Sequence, residues 1–187
     1  MPRPSDTKQR IQEVARELFA QKGVQRTSLQ EIADRLAITK PALYYHFSSR
    51  EELVRSIVQP IIDEEEAFLV AQEALGEVEP RALLEGYFDF HYRNRREIVL
   101  MLSELTTLAD LGLIDRVLEW RGRLGKLLHG PDPTLEQAAR AVIAFGGIQD
   151  CTIQFAGVPQ DELRRVAVDG ALAALEIKPR RKAAHRT

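Results

Sequence analysis

The nine residues TKPALYYHF, Thr39 to Phe47, gather a lysine, a threonine, two tyrosines and a histidine into a span of about two helical turns. Those side chains suit a polyanion. Lys40 can reach a guanine edge or a phosphate, the hydroxyls of Thr39, Tyr44 and Tyr45 and the imidazole of His46 can bond phosphate oxygens, and aromatic rings give apolar contact to thymine methyls. Leu43 and Phe47 stand four apart and share one side of a helix, which leaves Thr39, Lys40, Ala42, Tyr44, Tyr45 and His46 outside or on its edges. Thr39 can cap that helix, and Pro41 in its first turn removes an amide that has no helical partner anyway. Arg50 adds a cation at the start of the next helix. The competing reading is that the aromatics are core, as aromatics at helical spacing usually are. The polar atoms on Tyr44, Tyr45 and His46 favour the groove.

Such a helix needs a partner to hold it. The preceding stretch, SLQEIADRL, places Leu29, Ile32, Ala33 and Leu36 on one face, and two or three residues separate it from TKPALYYHF. Two short helices joined by a tight turn make a helix-turn-helix, with the second of a size to enter a major groove. Ser28 with Glu31 and Ser48 with Glu51 fit the capping box, and Asp132-Pro133-Thr134 with Gln137 marks another helix start.

The whole chain reads as all-α. Three-and-four spacing recurs throughout, as in Ile11, Val14, Ala15, Leu18 and Phe19, and strict alternation over a strand's length is absent. Helices are expected near 6–22, 28–36, 39–46, 49–74, 80–93, 95–107, 112–129, 133–156 and 160–177. Breaks fall where glycine or proline interrupts: Lys22-Gly23, Gly76, Gly130-Pro131-Asp132-Pro133 and Gly157-Val158-Pro159. Pro60 falls inside the fourth helix and should kink it.

Charge is unevenly distributed. Residues 1–60 carry +3, residues 61–176 carry −10 and residues 177–187 carry +5, for the net −2. A basic head on an acidic body implies an anionic partner for the head alone. The lone Cys151 cannot form an internal disulfide and reads as a small buried hydrophobe, which suits a cytoplasmic protein. The N-terminus lacks the apolar run of a secretory signal, and no apolar stretch approaches the roughly 18 residues that span a bilayer, so no membrane role is expected.

The segments ELFAQKGVQRTSLQEIADRL and TKPALYYHFSSREEL, over roughly residues 7–55, resemble the tetracycline-repressor (TetR) family of bacterial transcription regulators. Two positions depart from its pattern: Ala37 stands where the family usually has a turn glycine, and Arg50 where lysine is common. The resemblance implies a three-helix DNA-binding domain over 1–48 and a helical effector-binding and dimerisation domain over 49–177; the basic tail over 178–187, by its own residues, has no apolar face and reads as disordered. By position it implies backbone contacts from Thr27, Ser28, Tyr44, Tyr45, His46 and Arg50, and a groove-facing set of Gln30, Thr39, Lys40, Pro41 and Ala42. It also implies a homodimer formed by the last two long helices, where Ala141, Ala144, Gly146, Gly147, Gly170, Ala171 and Ala174 allow close approach. Such a dimer would face a palindromic double-stranded operator and be released by a small-molecule effector, with repression the family default and no cofactor implied.

For the effector, Tyr87, Phe90, His91, Met101, Trp120 and Gln149 combine aromatic bulk with a few polar groups, the mixture that ligand sites show. Each has a plainer reading: Trp120 as a core anchor, Met101 as core filling, and His91, beside YRNRR, as a surface residue. An enzyme has little support, because the chain holds no G-x-S-x-G, P-loop, G-x-G-x-x-G, H-E-x-x-H or E-x-x-H. Asp63 to Glu66 could be proposed as a metal site, but consecutive carboxylates splay around a helix and no metal is expected. The remaining competitor is a helical interaction protein whose head binds DNA without specificity.

Overall fold

The computed structural model describes residues 4–103 and 113–176. Every regular element among them is a helix: α1 Pro4–Lys22, α2 Leu29–Arg35, α3 Lys40–His46, α4 Arg50–Ala74, α5 Pro80–Arg93, α6 Arg95–Ser103, α7 Leu113–His129, α8 Leu135–Gln154 and α9 Gln160–Ala174. The basic tail over 178–187 and the last turn expected of the sixth helix lie outside the described residues. The chain divides into two compact units, the first Met1–Glu66 with Asn94–Ile114 and the second Ala67–Arg93 with Asp115–Thr187. α4 continues through Pro60 and contributes to both.

In the first unit, α1 packs on α2 and α6, and α2 on α3. The apolar stripe of α1 supplies Ile11, Ala15, Leu18 and Phe19 to the buried core of this unit, to which α2 adds Ile32 and Ala33 and the α3 segment adds Leu43 and Phe47. Polar ties fix the relative placement of the helices. Gln12 Nε2 donates to the Ser56 carbonyl at 3.2 Å and to its hydroxyl at 3.0 Å, and Arg16 stands 3.4 Å from Glu97.

The helix-turn-helix closes by a Schellman-type motif: the Ile38 amide donates to the Ala33 carbonyl at 3.0 Å and the Ala37 amide to Asp34 at 3.1 Å. That closure requires the left-handed region at Ala37, where φ is 53°. The turn thus keeps its glycine geometry without a glycine. α3 then starts on Thr39, whose hydroxyl accepts from the Ala42 amide at 3.3 Å. α4 starts one residue later than the Ser48/Glu51 box expected from sequence. Ser49 accepts from the Glu52 amide at 3.1 Å, and the Glu52 carboxylate reaches back to the Ser48 amide at 2.7 Å.

The second unit packs α5, α8 and α9 on one another around Leu84, Phe88, Phe145, Ile148 and Val168. α8 opens with the capping box expected from sequence: the Thr134 amide donates to Gln137 Oε1 at 2.8 Å, and the Gln137 amide to Thr134 Oγ1 at 3.3 Å. Surface ion pairs join α5 to α9, with Arg81 2.7 Å from Asp169 and Arg164 3.1 Å from Asp89. The small residues of α8 and α9 divide between two faces. Ala141, Ala144 and Ala171 are buried within the unit, whereas Gly147 and Gly170 are exposed and a Cβ added at either would meet nothing within 4 Å.

Holding an alanine at positive φ costs about 1–2 kcal/mol, part of which a glycine returns through its greater freedom in the unfolded chain. Ala37→Gly is therefore expected to raise stability by roughly 0.5–1 kcal/mol, seen as a higher urea midpoint at unchanged m-value. A midpoint that stays put or falls would contradict the strain assigned to this turn.

Candidate nucleic-acid interface

The N-terminal ends of α2 and α4 and the outer side of α3 meet around one open concavity of about 350 Å³. Thr27, Ser28, Gln30, Lys40, Tyr44 and Arg50, all expected from sequence, line it. Ser48, Ser49 and Glu51 line it too. On α3 the burial of Leu43 and Phe47, at 0% and 1% exposure, turns the polar side outward. Tyr45 is 83% exposed and Tyr44 43%, Thr39, Lys40 and Pro41 are exposed, and Ala42 and His46 are half-buried. The tyrosines and the lysine are not core.

Several of these groups are held by neighbours. The Lys40 ammonium lies 5.7 Å from the Tyr44 ring centroid, and the Tyr45 and His46 rings meet edge to face at 5.3 Å. Gln30 donates to Asp34 at 2.7 Å. Ser28 Oγ accepts from the Glu31 amide at 3.1 Å as the α2 cap, while the Glu31 carboxylate pairs with Lys22. Arg50 is braced by Gln25, donating to its carbonyl at 3.2 Å and to Oε1 at 3.0 Å. Gln25 escaped sequence reading because it contacts Arg50 across 25 residues of chain, and only its place in the polar loop VQRTS hints at a role.

Thr27 corrects one expectation. It is 1% exposed and its hydroxyl donates to the Gly23 carbonyl at 2.9 Å, so its side chain closes the loop between α1 and α2 instead of standing ready for a phosphate. The acidic residues at the α4 start also shape the field. Its own amide and the Ser49 hydroxyl hold the Glu51 carboxyl below the usual range, and the Ser48 hydroxyl and amide do the same for Glu52, so both remain charged beside Arg50.

The residues expected to hold an effector fall in both units. Met101 is half-buried on α6 of the first unit. The other five lie in the second, where Tyr87, Phe90 and Trp120 are buried and Gln149 is half-buried. His91 is not the surface residue that its charged neighbours suggest. It is 3% exposed, its ring centroid lies 4.0 Å from Tyr87 and 5.0 Å from Phe90, and its Nδ1 is 3.0 Å from the Tyr87 carbonyl. A carbonyl only accepts, so Nδ1 carries the proton and Nε2 is left as an acceptor. Burial pushes the imidazolium down to about 4, the Arg121 charge acts in the same direction, and the bond to Tyr87 opposes them. Arg121 donates to Gln149 Oε1 at 3.1 Å, a pairing no spacing rule reveals.

Comparison with known proteins points one way. Residues 11–57 match the sequence model described as "Bacterial regulatory proteins, tetR family". The chain is 33% identical over 75 residues to the HTH-type transcriptional regulator TtgR of Pseudomonas putida, covering 40% of this chain and 36% of that protein. It is 27% identical over 119 residues to the HTH-type transcriptional repressor KstR2 of Mycolicibacterium smegmatis, covering 61% and 57%. The chain thus spans from about a third to somewhat over half of these curated relatives. The crystal structure of a transcriptional regulator (TerR/AcrR family) from Aquifex aeolicus VF5 superposes with a TM-score of 0.70 at 26% identity, covering 88% of this chain and 96% of that one.

The buried imidazole generates a pH prediction. The unfolded chain protonates His91 near 6.5, the folded chain only near 4. The stability conferred by the neutral ring is full above 6.5 and declines as pH falls from 6.5 to 4, by a total on the order of 3 kcal/mol. Urea denaturation at intervals across that window should show the decline, and His91→Gln should flatten it. Equal slopes for both proteins would contradict the assignment.

Proposed function

We propose that this chain, whose residues 11–57 match the model of the tetR family of bacterial regulatory proteins, is a regulator of that family: a ligand-responsive transcription regulator of the cytoplasm. In this reading it acts as a repressor, binds a palindromic operator as a homodimer and is released by a small-molecule effector. The observation that carries the proposal is the outward polar side of α3, with Lys40, Tyr44 and Tyr45 clear of the core and Arg50 braced beside them. Lys40 and Gln30 are the groove-reading pair, while Ser28, Thr39, Tyr44, Tyr45, His46 and Arg50 grip phosphates. Pro41 and Ala42 supply apolar contact at the helix start. No described helix is long and apolar enough to cross a membrane.

Homodimerisation is supported by what α8 and α9 leave uncovered. Val142 and Ile143 are 48% and 63% exposed, Val166 is 54% exposed, and Gly147 and Gly170 lie on the same helices with open space where a side chain would be. Apolar side chains flanking bare backbone suit a mate at close range. Two-fold pairing would put the two α3 helices one DNA turn apart, roughly 34–36 Å, as a palindrome demands. Effector binding would favour a dimer with the wrong spacing, and operator affinity would fall by the coupling factor.

Selection of bound duplexes from a random pool should recover one palindrome, bound far more tightly than random DNA and with a steep salt dependence. Recovery of no common sequence would favour the interaction-protein reading. Against the selected site, Lys40→Ala should lose about 1–3 kcal/mol and relax preference at one base pair. Arg50→Ala should weaken all duplexes about equally and lower the salt slope by about one. Equal loss of preference in both variants would overturn the division of roles. Ile143→Glu should shift the sedimentation equilibrium to monomer and cost operator affinity with it; a dimer that survives would place the interface elsewhere.

A further inference from the structure

The second unit contains a guanidinium that no carboxylate among the described residues neutralises. Four other arginines of the unit are paired with carboxylates: Arg81 with Asp169 at 2.7 Å, Arg123 with Glu73 at 2.7 Å, Arg140 with Glu176 at 2.7 Å and Arg164 with Asp89 at 3.1 Å, while Arg116 and Arg165 lie exposed to water. Arg121 on α7 is half-buried, and among the described residues no carboxylate lies within ion-pair distance of it. Its Nη2 donates to Gln149 Oε1 on α8 at 3.1 Å, while its Nε is shut off from water and makes no hydrogen bond. A partly desolvated charge with an idle donor is unfavourable unless an anion completes it. The surroundings favour an anion over a neutral acceptor alone. Gln149 turns its oxygen to Arg121 and keeps both amide hydrogens to donate, so donors predominate in the pair. The same guanidinium lies close enough to His91 for its charge to be felt there, next to the Tyr87 ring, which in turn meets Phe145 edge to face at 4.9 Å.

We propose that Arg121 and Gln149 form the anion-binding end of the effector site, taking the carboxylate of a small organic acid whose apolar body lies against Tyr87, Phe90 and Phe145. This rests on the reading of the second unit as the effector-binding part of a regulator. The planar guanidinium fork matches a carboxylate, with Nε and one Nη bonding its two oxygens. The aromatic cluster selects for an apolar remainder, so acetate should bind less well than a larger acid.

The test uses the full chain with phenylacetate and octanoate as probes, phenylacetamide and octanamide as neutral matches, and inorganic phosphate as an anion without an apolar body. Thermal unfolding reads stabilisation, and the emission of Trp120, the chain's one tryptophan, reads binding independently. The acids should raise the unfolding temperature and perturb the emission, and the amides should do neither. Arg121→Met should weaken acid binding by about tenfold or more, the loss expected for a charge-assisted bond, and Gln149→Leu should weaken it in the same direction. Should Arg121→Met fail to fold, Arg121→Lys, which keeps the charge and loses the fork, must still bind the acids more weakly. Equal response to acid and amide, response to phosphate alone, or no response to either acid would overturn the proposal. So would variants that bind normally, or variants that lose dimerisation instead, which would make Arg121 an interface cation. Operator binding measured in parallel without acid separates the two claims: operator binding with no acid response removes this inference alone, and absent operator binding removes the regulator reading beneath it.

Discussion

The burial of Leu43 and Phe47 is the constraint on which the first unit's candidate surface depends. A seven-residue helix does not hold itself together in water, because nucleation costs more than so few hydrogen bonds return. α3 exists because two apolar side chains four residues apart are completely buried where it packs on α2, with Thr39 capping one end. Once those two are fixed, helical geometry leaves no freedom about where Lys40, Tyr44 and Tyr45 go. The Schellman closure at Ala37 then aims the helix, and the chain tolerates an alanine at φ 53° to keep that aim.

What the sequence made legible is what local spacing encodes. Periodicity located every helix among the described residues, and the Thr134/Gln137 box is present as read. Where two serines adjoin, spacing alone left the cap ambiguous by one residue, and the Glu52 side chain settled it by bonding Ser48. The misreadings share a cause. Position in the family pattern implies a backbone contact for Thr27, yet its hydroxyl satisfies the Gly23 carbonyl and its side chain lies buried. His91 was given a surface reading because its chain neighbours are charged, although its helix face is set by Tyr87 four residues earlier. Gln25 with Arg50, and Arg121 with Gln149, are pairings between distant segments, and no periodicity carries them.

The small residues of α8 and α9 show how one composition serves two purposes. Ala141, Ala144 and Ala171 let helices of the same unit approach, and their methyls are consumed in doing so. Gly147 and Gly170 contribute nothing to that packing, since a side chain at either would point into open space. A glycine inside a helix costs about 1 kcal/mol relative to alanine. Retaining two where no internal neighbour requires them makes physical sense if the bare backbone is needed by something outside the chain.

The polar groups on the candidate interface are not idle before any partner arrives. Lys40 lies over Tyr44, Gln30 bonds Asp34, and Arg50 is held by both polar groups of Gln25. A duplex bound as proposed would have to compete with these contacts, and the affinity it gained from each group would be the difference between two hydrogen-bonded states. If Gln30 and Lys40 read base edges as proposed, giving up a weak exposed contact would leave a modest surplus that depends on which base is there. For Arg50, the Gln25 brace can persist while the guanidinium faces a phosphate, so orientation is retained and little ordering entropy remains to be lost. On the proposed reading, discrimination among sequences would fall to the residues that must change partners, and sequence-independent grip to Arg50, which keeps its Gln25 brace.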